Sequence, residues 1–367
     1  MVHPFDLQNR AELAAPSLTA LLDPQRQGLM YFLASWAARP PRADHCLWDC
    51  GDGCGRHLDA LTLVRSMVRP GSPEAAPGAG ELQLEAWVMR LLGRDGLTWL
   101  LDEPFARPWG TDTLLRQYDP AKSYAEISWA QRGTLLGLST RYQATGDERF
   151  LAAGKRLVDG LLAVALHSDQ GLFFPEAYYR AGGWRCLEPG LYAGLEEYNA
   201  AVIVASVRFH RATGYAPALQ LAEGLACHAL AHTRGYRPDG SLYPGQGPGQ
   251  GQGTLDHFHT RTNFLLGVLE LGLATGRAEW VDWARRSYEH ARVWGTDFGW
   301  FPEGMGHRHG EICCSTDMIE AAILLGRHVS RRYYADAERF GRNHLIESQF
   351  LSLPALQAAV ARLPEDA

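Results

Sequence analysis

The chain has 367 residues, 46% hydrophobic and 21% charged, with 35 Lys+Arg against 41 Asp+Glu and a formal charge of −6. This is globular composition with ample apolar material for a large core, which excludes a disordered chain, a collagen-like chain or a disulfide mini-scaffold. The acidic balance, with no basic stripe, excludes a nucleic-acid footprint.

Chain order begins at Met-Val-His-Pro-Phe-Asp-Leu, which has no basic region leading into an apolar one. No apolar run reaches the roughly 18 to 20 uncharged residues of a membrane span. A soluble, cytoplasmic protein without a membrane partner is expected. Seven cysteines at 46, 50, 54, 186, 227, 313 and 314 read as reduced thiols or metal ligands, because neighbours such as Cys313 and Cys314 rarely bridge each other.

Helices are expected over about residues 10–37. The next segment is Trp48-Asp49-Cys50-Gly51-Asp52-Gly53-Cys54-Gly55-Arg56-His57. Its glycines would let the backbone approach a ligand, and Asp49, Asp52, Arg56 and His57 beside Trp48 suit hydrogen bonding to a polyol. Cys46, Cys50, Cys54 and His57 are also zinc-binding residue types, although C-x3-C-x3-C-x2-H is no standard finger.

Beyond the Pro/Gly break at 70–80, apolar residues recur at helical spacing, as in Leu135, Leu138 and Tyr142, then Phe264, Leu265, Val268 and Leu269. Three such helices end alike, in Ala144-Thr145-Gly146, Ala212-Thr213-Gly214 and Ala274-Thr275-Gly276. Each glycine supplies a left-handed C-cap, and a small residue (Gly154, Ala222, Ala284) follows eight positions later, where a second helix would pack closely. The stops recur 68 and 62 residues apart, from 146 to 214 to 276. One unit is therefore a helical hairpin plus a long loop. Extending the repeat to the Pro/Gly break and to the region of Arg331 gives about six hairpins, hence an all-α, six-hairpin (α/α)6 barrel as a single domain over 1–367. The last ~15 residues read as a loose tail.

The Gly/Gln tract 245–253 reads either as a rim or lid or as a tolerated insertion. Behind it, Asp256-His257-Phe258-His259-Thr260-Arg261-Thr262-Asn263 opens a helix. His257, His259 and Arg261 suit recognition of hydroxyls or a carboxylate, and histidine also shuttles protons, with a capping and packing cluster as the plain alternative. The third cluster carries most chemistry. Trp300, Glu303, His307, His309, Glu311, Cys313 and Cys314 crowd one glycine-hinged loop, with the carboxylates eight residues apart. A carboxylate with thiolates holds zinc, zinc turns a thiol into a nucleophile near neutrality, and a nearby glutamate protonates a leaving oxygen.

These residues resemble the β-L-arabinofuranosidase-like glycoside hydrolases of family 127. Glu311-Ile312-Cys313, then Tyr334-Ala335-Asp336, Glu338-Arg339 and Asn343, resembles their Glu-Thr-Cys segment and its Tyr-Ala-Asp helix. His257-Phe258-His259-Thr260 is similar to their His-Ala-Asn-Thr, and Trp48-Asp49 with Asp52 and Asp59-Ala60 to their Trp-Asp-Ser-Asp-Val opening. The resemblance implies a retaining exo-glycosidase acting on a carbohydrate. Glu311 and Cys313 would hold zinc, Glu303 would act as acid/base, and His257 would contact the sugar. Cys313-Cys314 is also similar to the family's Cys-Cys pair, which would make Cys314 the nucleophile and a further zinc ligand. A ring of six hairpins fills 367 residues, so the family's β-sandwich domains are not expected here. A carboxylate-pair hydrolase, a sugar isomerase or epimerase using paired histidines, and a non-catalytic glycan-binding protein remain the alternatives.

Overall fold

A computed structural model describes residues 6–36, 38–45, 50–99, 124–180, 182–187, 201–233, 235–242, 257–304 and 309–363. Cys46, Trp48, Asp49, Asp256, His307 and the Gly/Gln tract 245–253 lie outside the described residues. Contacts divide the chain into two compact units. The first is Met1–Gly160 with Tyr178–Gly183 and Gln349–Ala367; the second is Leu161–Ala177 with Trp184–Ser348.

The first unit opens with helix α1 (Leu7–Ala20), capped by Asp6, whose carboxylate accepts from the backbone N–H groups of Gln8 and Asn9. The helix expected to reach residue 37 stops here. Two small antiparallel pairs replace it: β1 (Leu22–Asp23) with β2 (Leu29–Met30), and β3 (Leu33–Ser35) with β4 (Arg42–Asp44). Pro24 begins a single 3-10 turn, and Gln27 and Gly28 are both left-handed, a backbone a helix cannot continue through.

Helices α2 (Cys50–Met67) and α3 (Ala79–Leu91) form the hairpin expected around the Pro/Gly break. Strand β5 (Tyr124–Glu126) then leads into α4 (Trp129–Thr145) and α5 (Glu148–Val164), and pairs antiparallel with β8 (Tyr178–Arg180). Leu58, Leu61, Leu84, Val88, Leu91, Leu138 and Phe150 make this unit's core. The last residues are not all loose. Ser352 caps helix α12 (Leu353–Val360), and Gln349 Nε2 donates to the carbonyl of Arg10 at 3.0 Å.

Among its described residues, the second unit holds a small β6 (Leu166–His167) and β7 (Leu172–Phe173) pair and the helices α6 (Ile203–Thr213), α7 (Ala216–His232), α8 (Phe258–Thr275), α9 (Ala278–Arg292), α10 (Ile312–His328) and α11 (Tyr334–Phe340). Helix α8 is buried on every face from Phe258 to Gly272, whereas α9 buries one stripe, Trp280, Trp283, Ala284, Ser287, Tyr288 and Ala291. An all-round buried helix belongs inside and a striped one outside, and α8 packs against α6, α9 and α10. Its buried Glu270 is paired with Arg208 of α6 at 2.5 Å, so the charge is compensated where water is absent.

The three Ala-Thr-Gly stops are C-caps. Gly146, Gly214 and Gly276 have φ of 66°, 71° and 71°, and their N–H groups return to the carbonyls of Tyr142, His210 and Gly272. The preceding threonine hydroxyl donates to the carbonyl four residues back each time. Two residues after each glycine the outer helix begins, at Glu148, Ala216 and Ala278. Among the described residues, no helix is long and apolar enough to cross a membrane.

Candidate active site

The glycine-rich segment of the first unit is helix rather than loop. A Cβ on Gly55 would lie 2.2 Å from the carbonyl carbon of Gly133, and one on Gly133 2.5 Å from the carbonyl oxygen of Asp52. Gly51 and Gly55 admit Ala130 and the Gly133 backbone of α4, while Gly53 faces the Met30 and Phe32 side chains, which corrects their reading as a ligand approach. His57 is likewise a packing residue: it is buried, its Nε2 lies 2.8 Å from the carbonyl of Leu18, and burial holds its pKa below the ordinary value. Cys50 and Cys54 lie 3.7 Å apart in the core and His57 is committed to α1; among the described residues no metal-holding group includes them, and Cys46 lies outside those residues.

Asp52 has a different setting. It is buried, accepts from Arg56 at 3.1 Å, and has Arg132 Nη2 at 3.5 Å. The Arg132 guanidinium lies 4.0 Å over the Trp129 ring. Glu126, buried just before α4, accepts from the backbone N–H groups of Ser128 (3.0 Å) and Ala130 (2.6 Å) and from the Ser128 hydroxyl. Desolvation wins over these donors and raises its pKa to about 7. Sequence reading passed over Glu126, Trp129 and Arg132; a carboxylate two residues before a serine at a helix start was the available signal.

In the second unit, the second and third clusters meet. Pro302 pairs with Gly310 in a β-bridge, and the segment before 305 is stapled to the start of α8 by the His257–Gly304 bridge and by Phe258 N–H donating to Glu303 O at 2.7 Å. Gly310 is required there, because a Cβ would sit 2.2 Å from Trp300 Nε1. Trp300 is thus braced by the loop it belongs to. Glu303 pairs with His309, both partly exposed.

The starts of α8 and α10 are tied side chain to side chain. His257 Nε2 lies 2.8 Å from Glu311 Oε2, and His259 Nδ1 lies 2.8 Å from Asp317 Oδ2, which also accepts from the Thr262 hydroxyl at 2.7 Å. The donor atoms of Glu311, Cys313 and Cys314 all lie within 4.8 Å of one another. Arg261 is fully buried in α8, and its carbonyl accepts from the Tyr236 hydroxyl. Asp317, which sequence reading did not single out, stands four residues after Cys313, one helical turn along the same face.

Electrostatics follow from this geometry. Burial opposes charge on His259, but Asp317 and Cys313 outweigh it and raise its pKa to about 9. Burial likewise opposes charge on Glu311, yet hydrogen bonds from His257 and Cys313 bring it down to about 2. The Cys314 thiol donates to the Cys313 sulfur, which lowers Cys313 to about 7 against its burial and pushes Cys314 well above the ordinary thiol value. Cys314 is completely buried, with Sγ 3.9 Å from Pro302 O and from Glu311 Oε2. A sulfur enclosed in this way cannot reach a sugar carbon, which corrects its reading as the nucleophile; Cys313 is the more accessible thiol.

No protein-family model matches the chain, and no curated protein matches it. Solved structures do. A sugar epimerase from a ruminal bacterium is similar at a TM-score of 0.58 and 12% identity, covering 94% of this chain and 87% of that one. A glycoside hydrolase family 76 mannosidase from Bacteroides thetaiotaomicron is similar at 0.56 and 11%, covering 90% and 84%. A family 127 β-L-arabinofuranosidase from Geobacillus stearothermophilus is similar at 0.53 and 15%; the match covers 84% of this chain and 48% of that enzyme. The fold is all-α, of the (α/α)6 barrel type. The β-L-arabinofuranosidase likeness is one among several to glycoside hydrolases and sugar epimerases.

Proposed function

We propose that the chain is a glycoside hydrolase acting on a terminal or short glycoside. The observation that carries this reading is the convergence of Glu311, Cys313 and Cys314 at the paired starts of α8 and α10, beside the Glu303 loop. Neighbours named as a mannosidase and an arabinofuranosidase support carbohydrate as the substrate class.

The donor set fits zinc: one carboxylate and two thiols within 4.8 Å, the ligand types zinc takes. Glu311, Cys313 and Cys314 would hold it, and the bound ion would keep the thiols deprotonated at neutral pH. In the proposed chemistry, Cys313 attacks the anomeric carbon while the Glu303 carboxyl gives its proton to the departing oxygen. Glu303, now a carboxylate, then takes a proton from the water that displaces the Cys313 sulfur, so configuration is retained. His257 orients the Glu311 carboxylate through their 2.8 Å contact. Trp300 and His309 flank Glu303 on the same loop, where a sugar ring would be received.

A sugar epimerase is the second reading, favoured by the His257 and His259 rings, whose centroids are 5.9 Å apart, and by the epimerase neighbour. Metal analysis of purified protein beside a panel of nitrophenyl glycosides, with Cys313→Ser and Glu303→Gln as controls, tests the proposal. Stoichiometric zinc lost in Cys313→Ser, with hydrolysis lost in both variants, is the expected result. A metal-free enzyme that epimerises a free sugar and is indifferent to Cys313→Ser would overturn it.

A further inference from the structure

Resting on that metal reading, we infer that His259, held by Asp317, is the fourth protein ligand of the ion bound by Glu311, Cys313 and Cys314. Sites built on thiolates commonly close with four protein donors, and the Glu311 cluster supplies three. Two imidazoles adjoin it, and their partners distinguish them.

A metal-bound histidine almost always donates its other ring N–H to a carboxylate or carbonyl, which fixes the tautomer and the ring plane. His259 already has that arrangement. Nδ1 lies 2.8 Å from Asp317 Oδ2, the same oxygen is held by the Thr262 hydroxyl at 2.7 Å, and both His259 and Asp317 are buried. With Nδ1 donating its proton to Asp317, Nε2 is the ring nitrogen that would release its proton and bind the ion. The ring also hydrogen-bonds Cys313, a member of the donor set. His257, by contrast, uses Nε2 on Glu311 Oε2. It directs a ligand instead of being one.

The resulting set is one carboxylate, two thiolates and one neutral imidazole, with Asp317 and Thr262 as positioning residues. Its net negative charge lies at two helix N-termini, where the backbone dipoles favour it. Soft thiolates in this set select zinc over magnesium or calcium. The group within 4.8 Å comprises Glu311, Cys313 and Cys314, so binding must draw the His259 ring inward.

Zinc-edge X-ray absorption on the zinc-loaded full chain tests this without any variant: two sulfur scatterers and the outer-shell pattern of an imidazole are expected. Chelator competition should show His259→Gln losing more than ~100-fold in zinc affinity and Asp317→Asn losing about 10- to 100-fold. His257→Gln, which removes an orienting contact on Glu311 and no ligand, should lose no more than the Asp317 variant, with far-UV circular dichroism confirming that each variant is folded. Zinc bound with no imidazole signal, or His259→Gln binding at wild-type affinity with an unchanged cobalt spectrum, would overturn the fourth ligand alone. A wild-type chain that binds no stoichiometric zinc would overturn the metal reading and this inference together.

Discussion

His257 Nε2 and Glu311 Oε2 lie 2.8 Å apart, joining the residue that precedes α8 to the one that precedes α10. The contact orients the carboxylate. In the hydrolase reading, His257→Gln should therefore lower kcat/KM on an active nitrophenyl glycoside by about 10- to 100-fold while zinc content is kept. In the epimerase reading, His257→Ala should abolish epimerisation and Cys313→Ser should leave it intact. Measuring both reactions for both variants decides between them.

The two adjacent thiols should react very differently. Cys313 is half-buried and lowered to about 7, whereas Cys314 is fully enclosed and its thiol is held protonated. Brief alkylation of chelator-treated protein at neutral pH, followed by peptide mass spectrometry, should find label on Cys313 well before Cys314. Equal labelling of the two would contradict the accessibility on which the Cys313 assignment rests.

Much of the fold was legible because helix ends carry local chemistry. A left-handed glycine after a threonine marks a stop wherever it occurs, and Gly146, Gly214 and Gly276 all cap helices. Interior packing has no such local mark. Gly51, Gly53 and Gly55 look like a binding loop in sequence, and only the approach of α4 shows that Gly55 serves a helix crossing. In the candidate site, residues close in sequence, such as Glu311, Cys313 and Cys314, could be found by type and spacing. Asp317 and Thr262 matter through partners 58 and 55 residues away, and their roles appear only once α8 and α10 are side by side.

The α2 and α4 crossing should tolerate no methyl group. Gly55→Ala would set a Cβ 2.2 Å from a backbone carbon and 2.3 Å from a carbonyl oxygen, neither of which can rotate away. Overpacking of this kind costs about 1 to 3 kcal/mol or more. Gly182→Ala, with nothing within 4 Å of its Cβ, should stay within about 0.5 kcal/mol. Chemical denaturation of the pair checks the contrast, and equal midpoints would refute the close crossing.

Gly341 offers the opposite case. Its φ and ψ of −61° and −46° are helical, and a Cβ there would meet nothing within 4 Å. Alanine removes freedom from the unfolded chain at no steric cost, so Gly341→Ala should add roughly 0.5 to 1 kcal/mol. A rise in Tm with unchanged kcat/KM is the expected pair of readings.

Glu126 should give the first unit a measurable dependence of stability on pH. Burial raises its pKa from 4.5 to about 7, against the donors at Ala130 and Ser128, and Asp52 adds to the rise. Between those two values the folded chain keeps a proton that the unfolded chain releases. Stability from this group is therefore complete below about pH 4.5, falls as pH rises toward 7, and is gone above that. The difference is on the order of 3 kcal/mol. Glu126→Gln has no proton to lose, so its stability relative to wild type should improve on going from about pH 5 to about pH 7.5. Denaturant midpoints at the two pH values measure this, and a wild-type to variant gap that does not change with pH would show that Glu126 is ionised throughout.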